Sequence, residues 1–290
     1  MPAETAPRRT PLTSRTYLAI VVACFAQTAL ARSDGGAPPV VRSHVPGLTI
    51  IPLTQLPKAP PSASSRDQCG TMDAASDGGK IAAALGWGIV AEQKLGPYEA
   101  VSFAGEFAPA AGGACAIDKG NVALFDGAKL VALIYAPSST PEAIGNISPA
   151  GRRMRIFDGS LAPAPIGDVA LTADGAIEID PVAAEDSVCG GTDVVPNLYG
   201  TRIDKVRAAL FRKGWRPSKG APLNPKDPLQ SFTNSLRQRG IVEVHSCAPT
   251  GLAYCSYEYR KGAMVLEVTS TGDATFPTVT DYAVKCKPPK

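Results

Sequence analysis

Short apolar runs separated by turn residues recur along the chain between residues 66 and 190. Residues 121–125 and 130–135 are two such runs, and between them Asp126 and Gly127 form a typical hairpin turn. The same combination of strand and turn recurs twice before residue 190. Short strands joined by tight turns predict a β-rich domain over residues 66–190, built as a small sandwich or barrel.

The pattern changes to helical spacing after residue 190. One apolar stripe at this spacing consists of Ile203, Val206 and Leu210. Gly214 is well placed to end this helix, and Asp227 followed by Pro228 indicates the start of a second helix that ends at Gly240. Four strand-like runs follow. We therefore predict, over residues 191–290, an α+β domain with two helices and a three- or four-stranded antiparallel sheet.

The first 31 residues have the pattern of a secretory signal peptide. Basic residues precede an apolar run over residues 17–30, and Ala29-Leu30-Ala31 has the form of a cleavage site. The run is too short to span a membrane, which predicts export to the periplasm or the medium with no transmembrane segment in the mature chain. Residues 32–65 contain seven prolines and are expected to form an extended arm or linker.

Export changes how the cysteines are interpreted. The mature chain keeps Cys69, Cys115, Cys189, Cys247, Cys255 and Cys286. An even number in an oxidising compartment predicts three disulfides, and because three cysteines lie in each domain, at least one bridge must cross between them. Cys247 and Cys255 flank a short turn, whereas Cys189 is at the domain boundary and Cys286 near the chain end. The predicted pairs are Cys69–Cys115, Cys189–Cys286 and Cys247–Cys255.

Charge is distributed unevenly along the chain. The 290 residues carry a net charge of +3, which is too small for a dedicated nucleic-acid binder. Residues 66–190, however, carry a net charge of −8 and residues 191–290 carry +7. Either the two domains are each other's partner, or the basic domain binds an anionic partner.

Two groups of side chains in the C-terminal domain are candidates for binding. The cationic group consists of Lys205, Arg207, Arg212, Lys213, Arg216 and Lys219. These residues are expected to form a basic surface for an anionic polymer of the cell envelope. The aromatic group consists of Trp215, Tyr257 and Tyr259, which are candidates for a platform on which a sugar ring stacks.

Residues 195–215 resemble the opening of a PASTA domain. The segment begins Val195-Pro196-Asn197-Leu198-Tyr199-Gly200 and continues with Val206, Leu210, Gly214 and Trp215 at the family's spacing. The resemblance implies an extracytoplasmic module associated with the binding of peptidoglycan fragments. After residue 215 the chain departs from the family, because a second helix and a disulfide-punctuated meander replace its P-x-x-G-x-x-V strands.

Catalytic motifs are sparse. The chain has two histidines and no C-x2-C pair, so neither a metal site nor a cofactor is expected. His245 lies inside a predicted domain and is a candidate member of a Ser-His-Asp triad. The adjacent acidic pairs Glu178 with Asp180 and Glu185 with Asp186 are candidates for general acid–base work.

These observations favour an exported, disulfide-bonded, non-enzymatic binding protein of the cell envelope. Its basic C-terminal domain is expected to contact a glycan or anionic component such as peptidoglycan, or a partner protein. An exported hydrolase that uses His245 or the paired carboxylates is the alternative. A secreted-enzyme inhibitor is the second alternative, since the disulfide-tied turn over residues 248–254 is typical of rigid protruding loops.

Overall fold

The computed structural model describes residues 38–63, 69, 71–110, 115–139, 143–224, 226–249 and 251–286. The predicted signal peptide, residues 1–31, lies outside the described residues. From Pro38 onward the described chain clusters as one compact unit. None of its described helices is long and apolar enough to cross a membrane.

Ten strands in the described chain pair into two five-stranded sheets. They are β1 (Val41–Ser43), β2 (Thr49–Pro52), β3 (Gly88–Leu95), β4 (Tyr98–Pro109), β5 (Cys115–Asp126), β6 (Lys129–Tyr135), β7 (Ile144–Ala150), β8 (Arg153–Asp158), β9 (Pro165–Leu171) and β10 (Ile177–Asp180). The first sheet has the strand order β2-β6-β5-β4-β3 and the second has the order β1-β10-β9-β8-β7. Neighbouring strands are antiparallel except β1 and β10, which run parallel.

The two sheets pack face to face around one apolar core. Alternate residues of each strand point to the same side, so Val122 and Leu124 of β5 meet Ile156 of β8 and Ile177 of β10 in this core. The predicted hairpin between β5 and β6 is present, with Gly127 at φ 58° in its turn. The β-rich first part is therefore a sandwich.

The proline-rich segment after residue 38 supplies edge strands, so the prediction of an arm is wrong for residues 41–52. β1 pairs with β10 of the second sheet, and β2 pairs with β6 of the first. Burial explains the pairing, because Leu48 and Ile50 enter the core between the sheets. Helix α1 (Asp77–Ala84), whose first turn is capped by the Ser76 hydroxyl, then covers the outer face of the first sheet.

The C-terminal part combines helices and an antiparallel sheet. Its elements are α2 (Ile203–Arg212), β13 (Arg216–Pro217), α3 (Ser231–Gln238), β14 (Val244–Cys247), β15 (Cys255–Lys261), β16 (Met264–Thr271) and β17 (Thr278–Lys285). The sheet has the order β13-β15-β16-β17, and β14 also pairs with β15. Both predicted helices are present, and the α2 stripe is buried as expected. The short strand β13 brings the sheet to five strands within the described residues.

A hairpin of β11 (Glu185–Val188) and β12 (Asp193–Pro196) connects the two parts. The predicted domain boundary at residue 190 falls in the turn of this hairpin, and Cys189 in the same turn is bonded to Cys286 after β17. The other two bridges are Cys69–Cys115 and Cys247–Cys255. All three pairs agree with the predicted connectivity, and three disulfides fit a secreted protein. The exact division into domains stays a prediction.

Candidate functional site

The three aromatic residues expected to form a sugar platform are buried. Trp215 and Tyr259 are 0% exposed and Tyr257 is 2% exposed. Tyr257 and Tyr259 do share one face of β15, but that face packs against α2 and α3 in the core. A ligand cannot reach these rings, so the predicted platform is wrong.

Two residues of the predicted basic surface form ion pairs with carboxylates of the fold. Arg207 lies 3.0 Å from the buried carboxylate of Glu243, and Lys213 lies 2.5 Å from Glu185 of the connecting hairpin. Arg212 and Arg216 are exposed to solvent. Ion pairs thus take up part of this group, and binding of an anionic polymer by its exposed members stays a prediction.

An open cleft of about 430 Å³ lies instead at the junction of the sandwich and the C-terminal sheet. The sandwich contributes Asn146, Ser148, Phe157, Ala162 and Pro163, whereas the C-terminal part contributes Tyr199, Tyr254, Thr269, Thr280 and Asp281. Three aromatic rings and several short polar side chains thus converge from strands far apart in sequence. This combination is typical of a small-ligand site.

Tyr254 is the most accessible aromatic residue of the cleft. It is 45% exposed and immediately precedes Cys255, whose disulfide to Cys247 closes the turn. The backbone oxygen of Tyr254 accepts a hydrogen bond from the Ala248 N–H at 2.7 Å. Ala253 just before it adopts φ 51°, in the left-handed region that non-glycine residues avoid. Backbone strain of this kind concentrates at functional sites.

Aromatic rings form the inner wall of the cleft, and a hydrogen bond holds the hydroxyl of one of them, Tyr199. The Tyr199 ring lies 5.3 Å from the Phe157 ring, edge to face, and 4.8 Å from the Tyr282 ring. The Tyr199 hydroxyl donates a hydrogen bond to the Asp281 carboxylate at 3.3 Å. Burial, together with the nearby carboxylate of Asp281, raises the pKa of Tyr199 well above its usual value. The hydroxyl therefore stays a donor at any physiological pH.

A buried ionic cluster lies behind this wall. Arg155 of β8 donates paired hydrogen bonds to Asp168 of β9 and to Asp186 of β11, at 2.7–2.9 Å. The Tyr282 hydroxyl of β17 also donates to Asp186. Burial opposes the charge on Arg155, but the hydrogen bonds to the two carboxylates outweigh it and raise the Arg155 pKa above its usual value. The cluster links the sandwich, the connecting hairpin and the C-terminal sheet.

His245 does not sit in the geometry of a catalytic triad. It is exposed on β14, and its ring nitrogen Nε2 lies 3.4 Å from the backbone oxygen of Ser218. The Ser218 hydroxyl bonds instead to the carboxylate of Glu258, and this hydrogen bond holds the Glu258 pKa below its usual value. In a triad the serine hydroxyl would face the imidazole.

The acidic residues predicted to act in pairs make different contacts in the structure. Asp186 belongs to the buried cluster around Arg155, and Glu185 pairs with Lys213. Both residues line one small cleft of about 210 Å³, but each carboxylate is paired with a cation there, which does not suit the acid and base roles that a glycosidase requires. Glu178 and Asp180 lie on the outer face of the second sheet, beside His44.

Comparisons of the chain with protein-family models, with curated proteins and with solved structures found no match. The resemblance of residues 195–215 to a PASTA domain thus stays a prediction.

Sequence reasoning missed most of the cleft. Strand alternation puts Tyr254 on the face opposite Tyr257 and Tyr259, and this is the signal in the sequence that its side chain faces outward. Phe157, Asn146 and Asp281 carried no such signal, because each acquires its role from a strand that is distant along the chain.

Proposed function

We propose that the protein is an exported glycan-binding protein of the cell envelope and that the junction cleft holds a sugar ring. The observation that carries this proposal is the convergence of the exposed Tyr254 ring with Asn146 and Asp281 in one open cleft. The three disulfides are consistent with a protein that works outside the cytoplasm.

The lining suits a sugar because a sugar presents two kinds of surface. The apolar C–H face of a pyranose packs against an aromatic ring such as Tyr254. Its hydroxyl groups need both donors and acceptors, and the cleft offers the amide of Asn146, the hydroxyls of Thr269 and Thr280, and the carboxylate of Asp281. The side chain of Asn146 is held by a hydrogen bond from the Ile147 N–H at 2.8 Å.

The charge of the cleft favours a neutral ligand over an anionic one. Asp281 is the charged residue of the lining, and it would repel a second carboxylate or a phosphate. We therefore assign binding to the cleft and not to the basic residues around α2. The segment that resembles a PASTA opening supports this assignment, since it supplies Tyr199 to the inner wall.

The test is binding of the mature, disulfide-intact protein to purified peptidoglycan and to soluble oligosaccharide fragments of it, measured by co-sedimentation and by calorimetry. Tyr254→Ala should weaken binding about tenfold, which corresponds to about 1.4 kcal/mol for the loss of one stacked ring. Asp281→Ala should weaken it by a similar factor. Leu229→Ala removes another exposed apolar side chain outside the cleft and should bind as the wild type does.

If the glycan were bound by the basic residues around α2 and not by the cleft, the binding assay would give a different result. In that case Arg212→Glu and Arg216→Glu would abolish binding, and about 0.5 M salt would do the same because exposed charges are then screened. Loss of binding in these variants with unchanged binding in Tyr254→Ala would refute the cleft. Absence of binding to any glycan tested would refute the proposed function itself.

A further inference from the structure

The parallel pairing of β1 with β10 creates a second cluster of chemically active side chains, remote from the cleft lining. Arg42 lies opposite Glu178 in the register, and Ser43 lies opposite Ile179. The backbone N–H of His44 then donates to the Ile179 oxygen at 2.8 Å. Because residues two apart share a face, this register places His44 beside both Glu178 and Asp180.

The side-chain geometry fits a shared ion. His44 Nε2 lies 3.9 Å from Glu178 Oε2, and one ligand atom from each of His44, Glu178 and Asp180 lies within 4.8 Å of the other two. Ligands at 2.0–2.2 Å from a tetrahedral Zn²⁺ are about 3.3–3.6 Å apart. Small rotations of the exposed His44 side chain and of the partly buried Glu178 and Asp180 side chains bring the three atoms to that spacing.

Arg42 orients the Glu178 carboxylate. Its guanidinium Nη1 donates to Glu178 Oε1 at 2.9 Å, and the other oxygen, Oε2, faces His44. The two carboxylates with one guanidinium leave a net charge of about −1 around the cluster, so a divalent cation is attracted to it.

We propose that His44, Glu178 and Asp180 bind a Zn²⁺ ion. An imidazole with two carboxylates is a donor set that Zn²⁺ accepts, whereas Ca²⁺ and Mg²⁺ take oxygen ligands. The His44 side chain is half exposed, so the ion enters directly from solvent and keeps at least one position for water. The ion links the three-residue strand β1 to β10 and so stabilises the pairing of these two strands.

The test is calorimetric titration of the tag-free mature protein with zinc chloride. The wild type should bind one Zn²⁺ per chain, and His44→Ala and Asp180→Asn should each weaken binding by at least about tenfold. His245→Ala is the matched control, because it removes the other histidine of the chain, which is also exposed. This control should bind Zn²⁺ as the wild type does.

Circular dichroism of each variant verifies its fold, and substitution of half-exposed His44 is compatible with folding. The proposal is overturned if the wild type does not bind Zn²⁺, if His44→Ala binds it with unchanged affinity, or if His245→Ala is the variant that loses it. Equal affinity for Ca²⁺ and Zn²⁺ would likewise overturn it, since the imidazole would then contribute nothing. None of these outcomes bears on glycan binding at the cleft.

Discussion

Replacing Arg155 by Met removes the one cation from a cluster that holds two buried carboxylates. Asp168 is 0% exposed and Asp186 is 9% exposed, and both depend on the guanidinium for their charge-assisted hydrogen bonds. Met fills a similar volume and leaves the surrounding apolar packing in place. The variant therefore isolates the ionic role of Arg155.

The expected cost follows from the two uncompensated charges. Removing one partner of a buried ion pair costs about 3–5 kcal/mol, because the remaining charge is left without water or counter-charge. Asp168 keeps a hydrogen bond from the Ala183 N–H, and Asp186 keeps one from Tyr282, so neither carboxylate is left wholly without a partner. For a chain of this size, such a loss lowers the Tm by about 6–20 °C.

The assay is thermal and urea unfolding of the disulfide-intact protein, followed by circular dichroism. Arg153→Met is the matched control, since Arg153 lies on the same strand, β8, with its side chain exposed. Its free energy of unfolding should change by less than about 0.5 kcal/mol. A third variant combines Arg155→Met with Asp168→Asn and Asp186→Asn and should recover part of the stability, because it buries no charge in the cluster.

A loss below about 1 kcal/mol for Arg155→Met would refute the reasoning, because it would mean that the carboxylates find water or another cation. An equal loss for Arg153→Met would show that the strand tolerates no substitution, and the ionic explanation would then fail.

Two further predictions concern the framework. Gly120→Ala should destabilise the fold by at least about 2 kcal/mol in urea unfolding, because the added Cβ would overlap the backbone oxygen of Ile144, whereas Gly127→Ala should cost only about 1 kcal/mol for its positive φ. Equal costs would contradict this packing account. Under mild reduction, Cys189–Cys286 should open first, since Cys286 is exposed while Cys69, Cys247 and Cys255 are buried. Differential alkylation with mass spectrometry checks the order, and earlier labelling of Cys247 would contradict it.

Local signals in the sequence predicted the elements that depend on neighbouring residues. The hairpin at Asp126 and Gly127 and the helix stop at Gly214 were predictable because each needs a particular backbone angle that glycine supplies. The pairing of the cysteines followed from their positions along the chain. The helices were predictable because Val206 and Leu210 repeat at helical spacing.

Features that depend on tertiary packing were not predictable in this way. Alternation placed Tyr257 and Tyr259 on one face of a strand, but it did not show that α2 and α3 cover this face. The prolines of residues 32–65 favoured an arm, yet burial of Leu48 and Ile50 outweighs that preference and recruits β1 and β2 into the sheets. Local sequence preference therefore predicts secondary structure poorly where burial of an apolar side chain in the core decides the outcome.

The junction that forms the cleft is held by contacts that lie outside the cleft lining. One wall comes from β7 and β8 of the sandwich and the other from β16 and β17, so the distance between the walls depends on contacts outside the lining. Arg155 joins these walls from behind, and the Cys189–Cys286 bond joins the connecting hairpin to the end of β17. Loosening either link would separate Asn146 from Asp281 without changing a residue of the cleft lining. Stability of the junction and affinity for a glycan should therefore fall together in Arg155→Met, whereas Tyr254→Ala should lower affinity alone.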